Sequence, residues 1–466
     1  MQDFAVVGSG IGGSCSALML AQNYRVKLFE KDQNLGGCAA TFKHKGSYYN
    51  CAATTFAGYK KGNFVYEFFN KHKINFKSQP LDSALTIYQN GQFFKRHKDL
   101  DQFCNEINKV HYHPKNREFY TLIHQINETF YAMDGHYYSN ASIWKKMLSL
   151  RSFFPLLLRY KSYLFYDAKT FLQNYFDGLS SDYLDFFDNQ LLIVAQAKSD
   201  QVNVLTLALA LGYQFQDNHY IYGGMGALID AVTQDLDVER KCEIEKIERY
   251  KNYFALHSKN RSFLSKNVVL NCTLFDAPKL FDDPKIEGFF NKYKGFDSYK
   301  SAFMLYLQID SAKEFDHHYQ IINKKPFIHS ISNSIFVSFG AKDDEKLEKS
   351  VTISIHVDKR VWQQGYERKK EALTQEILQC LQETLQITKK QITASFSAKP
   401  YTFQRFINRS TLGGIPIKKH NLVYKLPGND TPIQGLYMVG DTTYAAQGWP
   451  GVLMGVNNLQ RLVCKR

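Results

Sequence analysis

Phe4-Ala5-Val6-Val7-Gly8-Ser9-Gly10-Ile11-Gly12-Gly13 stands almost at the start of a 466-residue chain. Its first four residues are uniformly apolar, as in a strand of a parallel sheet that is covered on both faces. The next six fit G-x-G-x-x-G at Gly8, Gly10 and Gly13. In that motif the first glycine permits a tight turn, the second lets the backbone approach a pyrophosphate, and the third lets the following helix pack closely on the strand. Ser14, Ala17, Leu18 and Ala21 then recur at helical spacing. A helix that begins at Ile11 turns its free N–H groups and the positive end of its dipole toward phosphate. Val26-Lys27-Leu28-Phe29 reads as a second strand, so the sequence predicts a βαβ unit. Glu30 ends that strand, 20 residues after Gly10. An acidic side chain there accepts hydrogen bonds from ribose hydroxyls and repels a 2′-phosphate. Glu30 and the adjoining Lys31 are therefore assigned to a dinucleotide site.

Three more stretches extend the reading. Gly36-Gly37-Cys38-Ala39-Ala40-Thr41-Phe42 is a second glycine turn soon after Glu30. Leu436-Tyr437-Met438-Val439-Gly440-Asp441-Thr442-Thr443 is a short apolar strand ending in Gly-Asp. Gln447-Gly448-Trp449-Pro450-Gly451-Val452 opens a last helix. The second glycine turn resembles that of FAD-dependent amine oxidases and carotenoid desaturases. Cys51-Ala52-Ala53-Thr54-Thr55-Phe56-Ala57-Gly58, the mid-chain Gly223-Gly224-Met225-Gly226 turn, and Phe403-Gln404-Arg405-Phe406 followed by Gly413-Gly414-Ile415-Pro416 complete the likeness. The chain resembles FAD-dependent phytoene desaturases and, more closely, the carotenoid cis–trans isomerase and retinol saturase branch. That resemblance implies FAD as cofactor. It implies a cofactor set of Gly8, Gly10, Ile11, Gly13, Glu30, Lys31, Gly36, Gly37, Cys38, Thr41, Phe42, Gly440, Asp441, Gly448, Pro450, Gly451 and Val452. The Gly-Asp pair is expected against the ribityl-phosphate part, and the 447–452 segment beside the isoalloxazine ring. A helix N-terminus there stabilises negative charge on a reduced flavin. Cys38 stands where amine oxidases usually carry Arg, and Asn50-Cys51-Ala52 replaces the commoner Asp-x-Gly.

The expected fold is α/β: a Rossmann-like FAD-binding domain of the GR2-type flavoprotein, with an interleaved α+β substrate-binding domain. Residues 1–85, 220–295 and 400–466 are assigned to the first domain, and 86–219 with 296–399 to the second. Ala302-Phe303-Met304-Leu305-Tyr306-Leu307 and Val351-Thr352-Ile353-Ser354-Ile355-His356 read as strands, the latter with period-two alternation. Leu373, Ile377, Leu381 and Leu385 recur at i, i+4 spacing in a helix. The region from about 85 to 220 reads as helical and rich in aromatics.

Composition narrows the partners. Hydrophobic residues make up 44% and aromatics 15% of the chain, enough for a packed core and an apolar pocket. The net charge of +14 favours anionic partners, yet no zinc-finger spacing, basic heptad region or RNA-binding aromatic signature points to nucleic acid. From Trp144 to Lys161, bulky apolar residues interleave with Lys145, Lys146, Arg151, Arg159 and Lys161. An interfacial helix needs that mixture, with apolar groups reaching acyl chains and cations reaching head groups. No signal peptide or apolar run of spanning length is visible, and the eight cysteines form no C-x-x-C pair. A cytoplasmic protein is expected, either soluble or attached peripherally to an anionic membrane.

A flavin needs little help from nucleophiles: the protein orients the substrate and excludes water. The sequence accordingly shows no Ser-His-Asp signature, H-E-x-x-H or metal cluster. Arg405 is the candidate polar group near the cofactor, and His111, His113 and the His317-His318 pair are candidate acid–base groups. The expected activity is FAD-dependent hydride transfer on a small apolar, polyene-like (carotenoid, retinoid or isoprenoid) substrate, as desaturase, saturase or isomerase. The alternatives are a flavin amine oxidase, which needs a pocket carboxylate, and a non-catalytic FAD-binding protein.

Overall fold

A computed structural model describes residues 1–133, 137–409, 411–419 and 425–464. Strand Gln2–Val7 runs through the middle of a seven-stranded sheet. It pairs in parallel with Val26–Phe29 on one side and with Ser262–Leu270 on the other, with Val6 beside both Leu28 and Val269. All three of those side chains are buried, as the unbroken apolar run requires. Val238–Glu239 extends the sheet past Val26–Phe29. The far edge of Ser262–Leu270 is shared: Leu436–Met438 pairs with its last residues in parallel, and Phe254–Ser258 with its first residues antiparallel. The first, middle and last parts of the chain thus build one sheet. Helix Ile11–Ala21 packs between Met225–Thr233 and the final helix Gly448–Val463.

A second seven-stranded sheet runs in the order Ile392–Ala398, Lys300–Ile309, Ser350–Asp358, Ser334–Phe339, His318–Ile322, Ser83–Gln89 and Gln92–His97. Both strands expected from the sequence are here, antiparallel neighbours with Phe303 beside Ile355. Period-two alternation gives the sheet two characters. Phe303, Leu305, Ile353, Ile355 and Val337 turn toward helix Tyr366–Leu385 and its buried Leu373, Ile377, Leu381 and Leu385. Met304, Tyr306, Ser354, His356 and Phe336 turn the other way, toward a cavity.

The elements depart from the expected segmentation in two places. Residues 86–97, read as the start of a helical region, complete a β-hairpin of the second sheet. Its two-residue turn is Asn90-Gly91, both at positive φ (53° and 80°), the backbone that a right-twisted hairpin prefers. Helix Pro400–Ile407, assigned by sequence with the Rossmann-like unit, packs instead on the second sheet, with Phe403 buried among Tyr49, Met304 and Tyr306. The helical part proper comprises Leu100–Val110, Asn116–Tyr131 and a series from Ile143 to Gly212, packed around its own core of Phe119, Phe171, Phe187 and Leu207.

Candidate functional site

The glycine loop is held open by its own chemistry. Helix Ile11–Ala21 starts at Gly10 with no side chain capping its first N–H groups, so those donors remain for a ligand. A Cβ at Gly13 would overlap the Gly8 carbonyl oxygen, which is the close helix–strand packing that the third glycine permits. A Cβ at Gly10 would lie 2.6 Å from Asn271 Nδ2, and one at Gly12 3.1 Å from the Gly440 amide. The two chain ends therefore meet at this loop. The cradle fits a dinucleotide: its glycines leave room that side chains would fill, and Gly8, Gly10, Ile11, Gly36, Gly37, Cys38 and Phe42 all line the cavity.

Glu30 closes the arrangement. Its Oε2 accepts from the Ser9 amide (2.9 Å) and the Ser9 hydroxyl (2.5 Å), and its Oε1 accepts from the Asp32 amide (2.9 Å). Ser9 Oγ in turn accepts from the Gly36 amide at 3.1 Å. One carboxylate thus fixes both glycine turns to each other. Lys31 also lines the cavity, and its ammonium donates to the Arg405 carbonyl (3.1 Å) and to Asn408 Oδ1 (2.6 Å). On the C-terminal side Gly440, Asp441, Gly448, Pro450, Gly451 and Val452 line the same cavity. The Trp449 indole is buried edge-on against Phe56, at 5.2 Å between ring centres, and so packs into the core.

Three sequence assignments move, the first being Gly13, which packs under the Gly8 carbonyl and does not line the cavity. Thr41 does not line the cavity: its hydroxyl donates to Asn50 Oδ1 (3.0 Å) and accepts from the Gly226 amide (2.9 Å), anchoring helix Met225–Thr233 to the second glycine turn. Arg405 is exposed on the outer side of helix Pro400–Ile407, its guanidinium over the Phe406 ring. The guanidinium that lines the cavity beside Asp441 is that of Arg409. Asn408 ends the helix in the left-handed region (φ 50°) and swings the chain inward, which puts Arg409 Nη2 3.0 and 2.9 Å from the two Asp441 oxygens. Arg409 Nη1 also lies 3.8 Å from Cys38 Sγ. Burial pushes the Cys38 thiol up, opposed by the Arg409 charge, so Cys38 is a neutral wall rather than a nucleophile.

None of the four proposed histidines lines the cavity. His111 is buried, stacked on Tyr183 and bonded to Gln89 Oε1. His113 packs edge-on to Phe176. Burial holds His317 down at about 4, and His318 is lowered further by burial and by its neighbour. The histidine that does reach the cavity from the second sheet is His356, pushed down to about 4 by burial and by Lys300. Alternation along Val351–His356 carries the signal for it, since Thr352, Ser354 and His356 share the face opposite the core residues Ile353 and Ile355. Asn271, one residue past the strand that pairs with Gln2–Val7, was likewise not singled out by sequence.

Beyond the cofactor cradle the cavity continues without a break. Its total volume is about 1810 Å³. The far part is walled by Phe153, Leu156, Leu157, Leu164 and Phe165 from the helical part, by Ile193, Val194, Leu205 and Leu209, and by Met304, Tyr306 and Phe336 from the second sheet. The carboxylates that line the cavity among the described residues (Glu30, Asp32, Glu243, Glu245, Asp276 and Asp441) all belong to the cofactor end. Among the described residues no cluster of His, Cys, Asp and Glu could hold a metal, and no helix is long and apolar enough to cross a membrane.

A Rossmann-like sheet assembled from both chain ends, with paired glycine turns opening into an apolar chamber, defines an enzyme of the flavin-binding oxidoreductase class. Residues 6–72 match the model of the NAD(P)-binding Rossmann-like domain family. Over 96% of its length the chain is 25% identical to prolycopene isomerase 2, chloroplastic, of an Oncidium hybrid cultivar, covering 81% of that protein. Its fold is that of an oxidoreductase from Methanosarcina mazei (TM-score 0.66, 17% identity, 98% of this chain and 99% of that one). It is also that of a CLA-producing fatty acid isomerase from P. acnes (TM-score 0.65, 12% identity, 99% of each chain). Along nearly its whole length the chain is thus similar to prolycopene isomerases, and its fold is shared with oxidoreductases and a fatty acid isomerase.

Proposed function

We propose that this protein is an FAD-dependent oxidoreductase that works on a polyene-like apolar molecule taken from an anionic membrane surface. The observation that carries the reading is the continuity of the cavity. Single ligand pockets run to about 300–1,000 Å³, so about 1810 Å³ accommodates a dinucleotide and a second, elongated molecule end to end. Gly8–Gly13, Gly36-Gly37 and Gly440-Asp441 would hold FAD, which would supply the capacity to take up and return a hydride. The chain's own residues bind, orient and exclude water. Leu156, Leu157, Leu205 and Phe336 desolvate the substrate chain, and His356, neutral at physiological pH, presents no charge to it.

The amine-oxidase alternative needs a carboxylate in the substrate part, and the described lining supplies none there. Entry from a membrane is supported by the helices Ile143–Ser152 and Phe154–Phe165. Ile143, Trp144, Leu158 and Phe165 are 65–79% exposed among the cations of this stretch, while Leu150, Phe153, Leu156 and Leu157 of the same helices line the cavity. The experiment is anaerobic titration of the yellow protein. Bleaching of the flavin absorbance by a polyene and not by alkyl amines is expected, and bleaching by amines alone overturns the reading.

A further inference from the structure

The chamber wall is not uniformly apolar where it adjoins the Gly413-Gly414 turn and the Gly440-Asp441 end of the cradle. Ser334, Ser354 and His356, from two adjacent strands of the second sheet, stand together in its wall, with Gln196 and Gln447 beside them. Gln196 Nε2 lies 3.1 Å from His356 Nε2 and 3.4 Å from Gln447 Oε1. Gln196 and Gln447 spend their amide protons on protein acceptors, so the Ser334 hydroxyl and the His356 ring are the polar groups that a pure hydrocarbon would leave unmet.

Two cations stand behind this patch. Arg96 is 1% exposed. Its Nε donates to Gln214 Oε1 at 2.5 Å, its Nη1 to Gln190 Oε1 and its Nη2 to the Leu211 carbonyl, and the guanidinium lies 4.8 Å from the centre of the Tyr213 ring. All of these partners are neutral; among the described residues no carboxylate pairs with it. Gln190 Nε2 passes the bond on to Gln320 Oε1, and Gln320 Nε2 donates to Ser334 Oγ at 3.2 Å. Every amide in this buried chain accepts on the Arg96 side and donates away from it, so the chain is polarised in one direction. Ser334 ends it as an acceptor, and its own proton points either to Ser332 Oγ, 3.3 Å away, or into the chamber. The second cation is Lys300, which donates to the Gln196 carbonyl. Burial first, then the charges of Lys418 and Lys198, push its ammonium down to about 8. A buried cation without a counter-charge is costly, and an anionic ligand nearby offsets that cost.

We propose that the chamber takes a long unsaturated chain that ends in a carboxylate, with Ser334 and the Gln196–His356 pair forming the head-group subsite. This rests on the reading of the chamber as a polyene site and narrows it: the substrate is an unsaturated acid rather than a symmetric hydrocarbon. Arg96 acts through Ser334, and Lys300, bonded to the main-chain carbonyl of Gln196, acts by holding that residue in place; both are positioning residues.

The test uses the flavin-loaded full chain with two probes, the fluorescent conjugated tetraene cis-parinaric acid and its methyl ester. Direct fluorescence titration is expected to show the acid binding about tenfold tighter than the ester, a difference of about 1.4 kcal/mol. Ser334→Ala and Lys300→Met remove most of that preference and leave the ester's affinity unchanged, whereas Lys300→Arg retains it. Unchanged flavin content and near-ultraviolet circular dichroism identify variants that fold. Equal binding of acid and ester, or variants that weaken both alike, overturns the head-group subsite and leaves the polyene chamber standing. If neither probe binds the flavin-loaded protein, the polyene chamber itself falls, and the subsite with it.

Discussion

Arg409 Nη2 sits 3.0 Å from Oδ1 and 2.9 Å from Oδ2 of Asp441, joining the end of helix Pro400–Ile407 to the C-terminal Gly-Asp turn across the cofactor cradle. The two side chains are only 17% and 18% exposed, so each depends on the other for its charge to be tolerated. Asp441→Asn leaves the guanidinium without its partner and is expected to cost about 3 kcal/mol of apo-protein stability. The doubly changed protein, Arg409→Gln with Asp441→Asn, recovers most of that loss in urea titrations. Flavin content stays low in both, because the carboxylate at the turn is gone. A single variant with unchanged stability and full flavin shows that the pair is unimportant.

The glycine loop separates binding from folding. Gly13 has the Gly8 carbonyl oxygen where a Cβ would go. Gly13→Ala therefore forces helix Ile11–Ala21 off strand Gln2–Val7 and is expected to cost about 4 kcal/mol or more. At Gly10 the nearest obstacle is the end of the Asn271 side chain, 2.6 Å away, which can rotate aside. Gly10→Val is therefore expected to keep the native circular dichroism spectrum while losing the bound flavin, since it blocks approach of the pyrophosphate. A Gly10→Val protein that purifies yellow with full flavin contradicts this division of roles.

Acid weakens this protein partly through His111. Burial pushes its imidazole down to about 4, against 6.5 for an exposed histidine. As pH falls, the unfolded chain takes up the proton first. Stability is therefore complete above about 6.5 and drains away down to about 4, by roughly 3 kcal/mol for this group alone. His111→Phe fills the slot beside Tyr183 and removes the titration. Its stability at neutral pH falls, because Gln89 loses a partner, but the slope between pH 6.5 and 4 becomes shallower than in the unchanged protein. Parallel slopes for the two proteins in denaturant titrations refute the assignment.

The parts of the fold that read directly from sequence are those where one local rule decides. An apolar run followed by a glycine loop fixes Gln2–Val7 and the start of helix Ile11–Ala21, an apolar run fixes Lys300–Ile309, and strict alternation fixes Ser350–Asp358. The Asn90-Gly91 turn was legible too, as a two-residue loop between apolar alternations, but the aromatic density of its surroundings masked it. Arg409 was not legible. Only the left-handed turn at Asn408 decides that it, and not Arg405 four residues earlier, faces Asp441. Thr41 failed for a similar reason: its position in a glycine-rich turn pointed to cofactor, while the fold brings the Gly226 amide onto its hydroxyl. The relay from Arg96 to Ser334 crosses four elements distant in the chain, and no periodicity records it.

The exposed face of Ile143–Ser152 and Phe154–Phe165 is the proposed membrane contact, and that proposal makes a prediction that separates two forces. Ile143 (77% exposed), Trp144 (76%) and Leu158 (65%) are left uncovered by the described residues, while Leu156 and Phe153, from the same stretch, turn inward to the cavity. Apolar insertion and charge attraction should both hold this face on an anionic bilayer. Replacing Trp144 and Leu158 by Ser removes two large side chains worth about 1.5–3 kcal/mol each when buried. The fraction that co-sediments with phosphatidylserine-containing vesicles is expected to fall at least about tenfold at every salt concentration. Replacing Lys146 and Arg159 by Gln instead leaves binding that is weaker at low salt and nearly insensitive to added salt, since screening acts only on the charge term. Full binding by the Ser variant, or a salt response unchanged in the Gln variant, places the membrane contact elsewhere.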